Sequence, residues 1–249
     1  MSRVYRKRKK GGKLLFTFTT VLLMLLAVLI GLSAFFTVSN VEVTGISLYT
    51  ADQIIQASGI QKGDNLVFIR DSDVVLKIKS QYDYVDKVRI VREFPDTILI
   101  DVNESYPIAH VTVGEAIWLI DENCKCLESV ESSDDKVLTS IEIRGVNAET
   151  PVKGQALSVA DDTTQIQCLS DVLTALQSAG INGNVTYLDV ENIGNLIFDY
   201  NGIYKVELGA ATDLDAKLKL LEQVLTKLDG KTAGTIAFAS GSEAHFIPD

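Results

Sequence analysis

Hydrophobic positions follow three different rules along this chain. From Leu14 to Phe36 almost every residue is apolar, and no charge appears between Leu14 and Val41. These 23 residues, at about 1.5 Å rise each, cross a hydrocarbon core of about 30 Å. A cleavable secretory signal has an apolar region of only about 7–15 residues. Length therefore favours an uncleaved single N-terminal transmembrane helix over residues 14–37.

From residue 38 to 106 short periodic segments replace the run. Val41-Glu42-Val43 alternates as a strand does. Thr50 with Gln53 three residues on predicts a capped helix through Ile54, Ile55 and Ala57, which Gly59 stops. Asp71 is expected to cap a second helix with Val74, Val75, Ile78 and Tyr82 on one face. Two strands follow: Val88–Arg92, partly alternating, and Ile98, Ile100 and Val102 on a shared face. Glu93-Phe94-Pro95-Asp96 turns between them. The order is β-α-α-β-β.

Residues 107–249 are richer in strands. Ile108–Val113, Ala116–Ile120, Cys124–Val130 and Ser140–Arg144 are strand candidates. Gln165–Ala179 carries a helical stripe of Ile166, Leu169, Val172, Leu173 and Leu176, ended by Gly180. Leu196–Tyr200 and Ile203–Leu208 flank Asn201-Gly202, a hairpin cue because both turn residues need positive φ. A helix is expected from Thr212, with Asp215 at the capping-box position. Its leucines 214, 218, 221, 225 and 228 form a stripe of the kind that packs on its own sheet, and Gly230 ends it. Thr235–Ala239 and Glu243–Ile247 close the chain as strands around Ser240-Gly241-Ser242. The fold class is α+β.

Charge divides the chain further. The first 13 residues hold seven Lys or Arg and no acid, which leaves 16 basic against 33 acidic residues for the rest. A basic head over residues 1–13 beside an apolar run predicts a cytoplasmic N-terminus, with the body outside. A body this acidic is a poor match to a phosphate backbone, so broad nucleic-acid binding is not expected.

Candidate chemistry is sparse. No Gly-x-Ser-x-Gly, no His-Glu-x-x-His and no Gly-rich phosphate loop occurs. His110 and His245 lie within apolar strand-like stretches, Ser158 has no recognisable basic partner, and Asp134-Asp135 and Asp161-Asp162 read as solvated loop charges. Cys124, Cys126 and Cys168 make an odd count without the paired spacing of a zinc site. Catalytic residues, metal and cofactor are each expected to be absent. A membrane anchor carrying two small domains reads as a scaffold.

Residues Val41-x-Val43-x-Gly45, Gly63-x-Asn65-Leu66 and Val88-x-Ile90-x-Arg92-x-Phe94-Pro95-x-Thr97-Ile98-x-Ile100-x-Val102-x-Glu104-x-x-Pro107-Ile108-Ala109 resemble a POTRA domain. It is the kind that follows the membrane span of FtsQ/DivIB cell-division proteins. Trp118-Leu119-Ile120-Asp121-Glu122, Lys205-x-x-Leu208-Gly209 with Lys217-Leu218, and Gly234-Thr235-Ile236 resemble segments of that family's second, β-rich domain. Ala237-Phe238 departs from the Asp-Leu usual there.

The resemblance implies a POTRA domain over 38–106 and a β domain with two helices over 107–249. It also implies a non-catalytic, single-pass scaffold of the bacterial divisome at the plasma membrane and division septum. Outside the membrane such proteins bind small FtsB/DivIC-type and FtsL-type coiled-coil partners, and so act on the septal peptidoglycan synthase. Matched positions make Phe238, Ser240, Gly241 and Phe246 partner-facing, through strand addition to a sheet edge. The alternative is that both aromatics point into the β-domain core, the commoner place for a phenylalanine in a strand. Arg92, Phe94 and Pro95 are assigned either to recruitment or to shaping their hairpin. The alternative function is a membrane-anchored extracytoplasmic enzyme of cell-wall metabolism. POTRA modules of outer-membrane assembly proteins precede a large β-barrel, which the remaining length and its helical stripes do not fit.

Overall fold

The computed structural model describes residues 11–160, 163–228, 232–239 and 243–249. The basic residues before position 11, Asp161, Asp162, Gly230 and Ser240-Gly241-Ser242 lie outside them. The chain divides into two compact units, 1–104 and 105–249.

The first unit opens with helix α1, Gly11–Phe35. Its described side chains, 16–28, 30, 31 and 35, are all exposed. Helix α1 covers residues 14–35 of the stretch 14–37 expected to cross a membrane. Among the described residues no helix is long and apolar enough to cross a membrane.

The expected β-α-α-β-β order follows as β1 (Asn40–Thr44), α2 (Ala51–Ser58), α3 (Asp71–Gln81), β2 (Val85–Glu93) and β3 (Thr97–Glu104). Strand β3 is central, parallel to β1 and antiparallel to β2. Its alternation buries Ile98, Ile100 and Val102 with Ile54 and Ala57 of α2 and Val74 and Ile78 of α3. Thr50 and Gln53 form the capping box, and Gly59 ends α2 in the left-handed region. Asp71 does not cap α3. Arg70 stands at the N-cap without a side-chain bond, and Asp71 is the first helical residue.

The second unit is a nine-stranded sheet in the order β12-β11-β10-β9-β8-β7-β4-β5-β6. Its strands are β4 (Ala109–Val113), β5 (Ala116–Ile120), β6 (Cys126–Val130), β7 (Ile141–Arg144), β8 (Val185–Asp189), β9 (Leu196–Tyr200), β10 (Tyr204–Gly209), β11 (Gly234–Ala239) and β12 (Glu243–Pro248). Parallel pairs need long crossovers. α5 (Thr163–Ser178) lies in the β7-to-β8 crossover and α6 (Leu214–Leu225) in the β10-to-β11 one. A short helix α4 (Asp135–Leu138) precedes β7.

Leu169, Val172, Leu173 and Leu176 of α5 and Leu218 and Leu221 of α6 join one core with Phe198, Val206 and Ile236 of the sheet. The α6 start differs from expectation. Asp213, at φ 54°, is its N-cap and makes no side-chain bond there, and Thr212 lies before it. In the hairpin, Asn201 and Gly202 take the positive φ expected, and Tyr200 pairs with Tyr204 across a loop that includes Ile203.

One buried acid organises the end of the first unit. Glu104, 8% exposed, accepts from Ser47 N (2.9 Å), Ser47 Oγ (2.8 Å), Leu48 N (3.0 Å) and Tyr49 N (3.3 Å). Charge-assisted bonds to a cluster of main-chain donors hold this loop against β3. Glu104→Gln keeps the shape and replaces the anion by a neutral amide. We expect it to lower the unfolding free energy of this unit by about 1.5–3 kcal/mol, measured by denaturant titration.

Candidate functional site

The sheet of the second unit ends at β12, which among the described residues pairs with β11 alone. Asp249 N donates to Ala233 O, and the register runs Gly234 with Pro248 through Ala239 with Glu243. In an antiparallel ladder bonded and non-bonded pairs alternate. Residues 243, 245 and 247 therefore bond to β11. The N–H and C=O groups of Ala244 and Phe246, and the carbonyl of Pro248, face away from it.

Side chains alternate the other way. Glu243, His245 and Ile247 are exposed, whereas Ala244 and Phe246 are half-buried against the core. The Phe246 ring meets Tyr204 edge-on at 6.0 Å between centroids. It also covers Gly234, where an added Cβ would lie 2.7 Å from the ring. Phe238 is likewise half-buried against this core. Of the four residues assigned to partner contact, Phe238 and Phe246 thus come together on neighbouring strands, with rings packed inward. Ser240 and Gly241 lie outside the described residues. What β12 offers outward is main chain, flanked by exposed His245 and Ile247.

The other candidate group is spread over one corner of the first unit. Arg92 donates from Nε to Leu66 O (2.8 Å) and from Nη2 to Ile69 O (2.7 Å) and Asp71 Oδ1 (2.6 Å). The guanidinium fork ties β2 to the loop entering α3, which explains why Asp71 is engaged elsewhere than in a cap. Phe94 stands at the β2–β3 turn, 60% exposed, with its ring 5.2 Å from that of Phe36. Pro95 completes that turn through a cis bond to Phe94. Only tertiary contact reveals the partners of Arg92, because Leu66, Ile69 and Asp71 lie more than twenty residues before it.

Elsewhere the chemistry is quiet. Cys124, Cys126 and Cys168 are buried free thiols. Burial pushes the Cys124 thiol up to about 12 and that of Cys126 to about 11, so at neutral pH they stay protonated. A groove of about 490 Å³ is lined by Asp171, Asp213, Asp215 and small residues of α5 and α6. Among the described residues no group of three His, Cys, Asp or Glu side chains could hold a metal ion. His110 is buried, with Nδ1 2.9 Å from Ser140 Oγ. Burial holds its pKa below the usual 6.5.

Two expectations follow. Arg92→Glu would leave two carbonyls unpaired and set a carboxylate beside Asp71. It should cost the first unit about 2 kcal/mol or more in chemical unfolding, with Arg92→Lys restoring only part because it lacks the fork. The second concerns pH. The unfolded chain protonates His110 more readily than the fold does. The second unit should therefore lose stability as pH falls below about 6.5, and His110→Gln should remove that component of the pH dependence of its melting temperature.

Residues 36–105 match the family model of the POTRA domain, FtsQ-type. Over longer stretches the chain is similar to curated cell-division proteins. It is 23% identical over 231 residues to the cell division protein DivIB of Clostridium botulinum strain Hall, covering 93% of this chain and 88% of that protein. It is 24% identical over 204 residues to the cell division protein FtsQ of Anaeromyxobacter sp. strain K, covering 78% and 64%. Identity reaches 31% over 109 residues with the cell division protein FtsQ of Corynebacterium glutamicum, covering 42% and 48%.

Proposed function

We propose that this chain, which belongs with the FtsQ/DivIB cell-division proteins by its FtsQ-type POTRA domain and its similarity over most of its length, is a non-catalytic, membrane-anchored scaffold of the divisome. Residues 38–106 serve as its POTRA domain and 107–249 as its partner-binding β domain. α1 is the anchor over 14–37, and the basic head 1–13 stays in the cytoplasm. Exposed apolar residues on every side of α1, such as Val21, Leu22, Leu23, Met24, Leu25 and Leu26, support a lipid environment, because a helix apolar all round needs an apolar surrounding. The similarity to cell-division proteins supports work at the septum.

The observation that carries the reading is the free edge of β12. A strand from an FtsB/DivIC-type partner, held with an FtsL-type protein, adds there and takes main-chain bonds from Ala244, Phe246 and Pro248. His245 and Ile247 supply selection on the outer face. Through that complex the scaffold acts on septal peptidoglycan synthesis. Phe238 and Phe246 stiffen the edge from within, and Ser240 and Gly241, between the two strands in sequence, join the contact. Arg92 serves recruitment indirectly, by fixing the corner that carries Phe94 and Pro95.

Proline at an edge position whose N–H faces outward blocks strand addition and leaves the sheet paired. Ala244→Pro should therefore weaken capture of the two coiled-coil proteins by the membrane-inserted chain by at least about tenfold. Its melting temperature should stay within a few degrees. His245→Pro, which removes a β11 bond, should instead loosen the edge itself. Unchanged capture by Ala244→Pro would exclude β12 as the docking strand.

A further inference from the structure

We propose that the corner of the first unit beside the end of α1 is a lipid-contacting surface, which seats Val67, Phe68 and Phe94 in the interfacial layer of a bilayer next to Phe35 and Phe36. The inference rests on the reading of α1 as a membrane anchor and goes beyond it, because it concerns residues outside the helix.

Three segments far apart in sequence are bound together there by main chain. Leu66 N donates to Phe36 O (3.0 Å), Val38 N to Asp64 O (2.8 Å) and Ser39 N to Asp96 O (2.8 Å). Thr37 bridges Asn65. Phe36 packs edge-on against Phe94 at 5.2 Å and against Phe35 at 5.5 Å. Phe36 directly follows the last residue of α1. With Cα atoms about 3.8 Å apart along the chain, a helix that crosses the bilayer leaves this corner within a few ångströms of the membrane boundary.

The exposed side chains at this corner are the wrong kind for water. Turns favour Gly, Asn, Asp, Ser and Pro, yet the turn after Asn65 presents Val67 and Phe68, and the hairpin tip presents Phe94. Phe68 is 73% exposed and Phe94 60%. The turn at 66–68 cannot fold its aromatic away. Leu66 is buried and its carbonyl is held by Arg92. Val67 N donates to Asn65 Oδ1 (2.9 Å), and Phe68 N to Asn65 O (3.1 Å). A rigid turn that holds phenylalanine outward beside an apolar helix matches the headgroup–acyl boundary, where such side chains bury about 5–10 Å deep. Lys62, Asp64, Arg70 and Asp96 flank the tips with both signs of charge, so apolar burial and not anionic lipid supplies the attraction.

The test uses the full chain in phosphatidylcholine vesicles with a nitroxide on Phe68→Cys, Phe94→Cys or Leu76→Cys. Leu76, on α3, is 68% exposed and serves as the water-facing reference. The native thiols are buried and protonated, so labelling near neutral pH goes to the introduced cysteine. We expect labels at 68 and 94 to be several-fold less accessible to a water-soluble nickel complex than the label at 76, and more accessible to oxygen. Val67→Cys replaces Phe68→Cys if that variant alters unfolding. Equal nickel accessibility at all three sites, in a chain that survives an alkaline carbonate wash, overturns the proposal and leaves the anchor intact. A chain that washes off removes the anchor reading and this proposal with it. Shielding that arises only when other divisome proteins are added would assign the corner to a protein and overturn the lipid assignment.

Discussion

The parallel pairing of β11 with β10 is the constraint on which the edge of the second unit depends. A parallel neighbour can be reached only by a crossover, and α6 fills it, burying Leu218 and Leu221 on the sheet. The same helix brings in Lys217, 4% exposed, whose Nζ donates to Leu208 O (3.0 Å) and Ala210 O (2.7 Å). That ammonium satisfies carbonyls at the exit of β10, where the chain leaves the sheet. β12 pairs antiparallel with β11, and among the described residues no further strand covers β12.

This arrangement separates two roles that compete in the sequence for the same residue. A phenylalanine in a terminal strand can anchor a partner or fill a core. Phe246 packs on Tyr204 and Gly234, yet its own N–H and C=O face away from β11. Its ring keeps the strand in register while its backbone remains open. Core packing and edge pairing use different atoms, so the inward ring stiffens the edge and does not argue against it.

Local chemistry made much of this legible. The Thr50–Gln53 box, the Gly59 stop, the Asn201-Gly202 turn and the inward faces of β3 and α5 follow from neighbours a few residues away. Legibility failed where a side chain answers to something distant. Asp71 resembles a cap until Arg92 claims it, and the start of α6 moves to Asp213, whose left-handed backbone leaves no side-chain cap. Strand β8 carries only a weak alternation, Val185-Thr-Tyr-Leu-Asp189, and is held by neighbours on both sides. Strand order, and hence which strand is the edge, is a property of pairing that no single segment encodes.

The first unit shows the same principle in its side chains. Arg92 binds carbonyls on both sides of the 67–68 tip, at Leu66 and Ile69, and a third hold comes from Asp71. Leu66 meanwhile anchors the turn in the core and to Phe36. With both ends fixed, the tip cannot collapse onto the domain, and the apolar surface it shows is built in by the fold. A loosely held loop would hide such residues in water. Here the tethers that stabilise the domain are also what keep Val67 and Phe68 outside it. The exposure therefore costs the domain solvation that only an apolar surrounding returns, and the nearest apolar segment in the chain is α1.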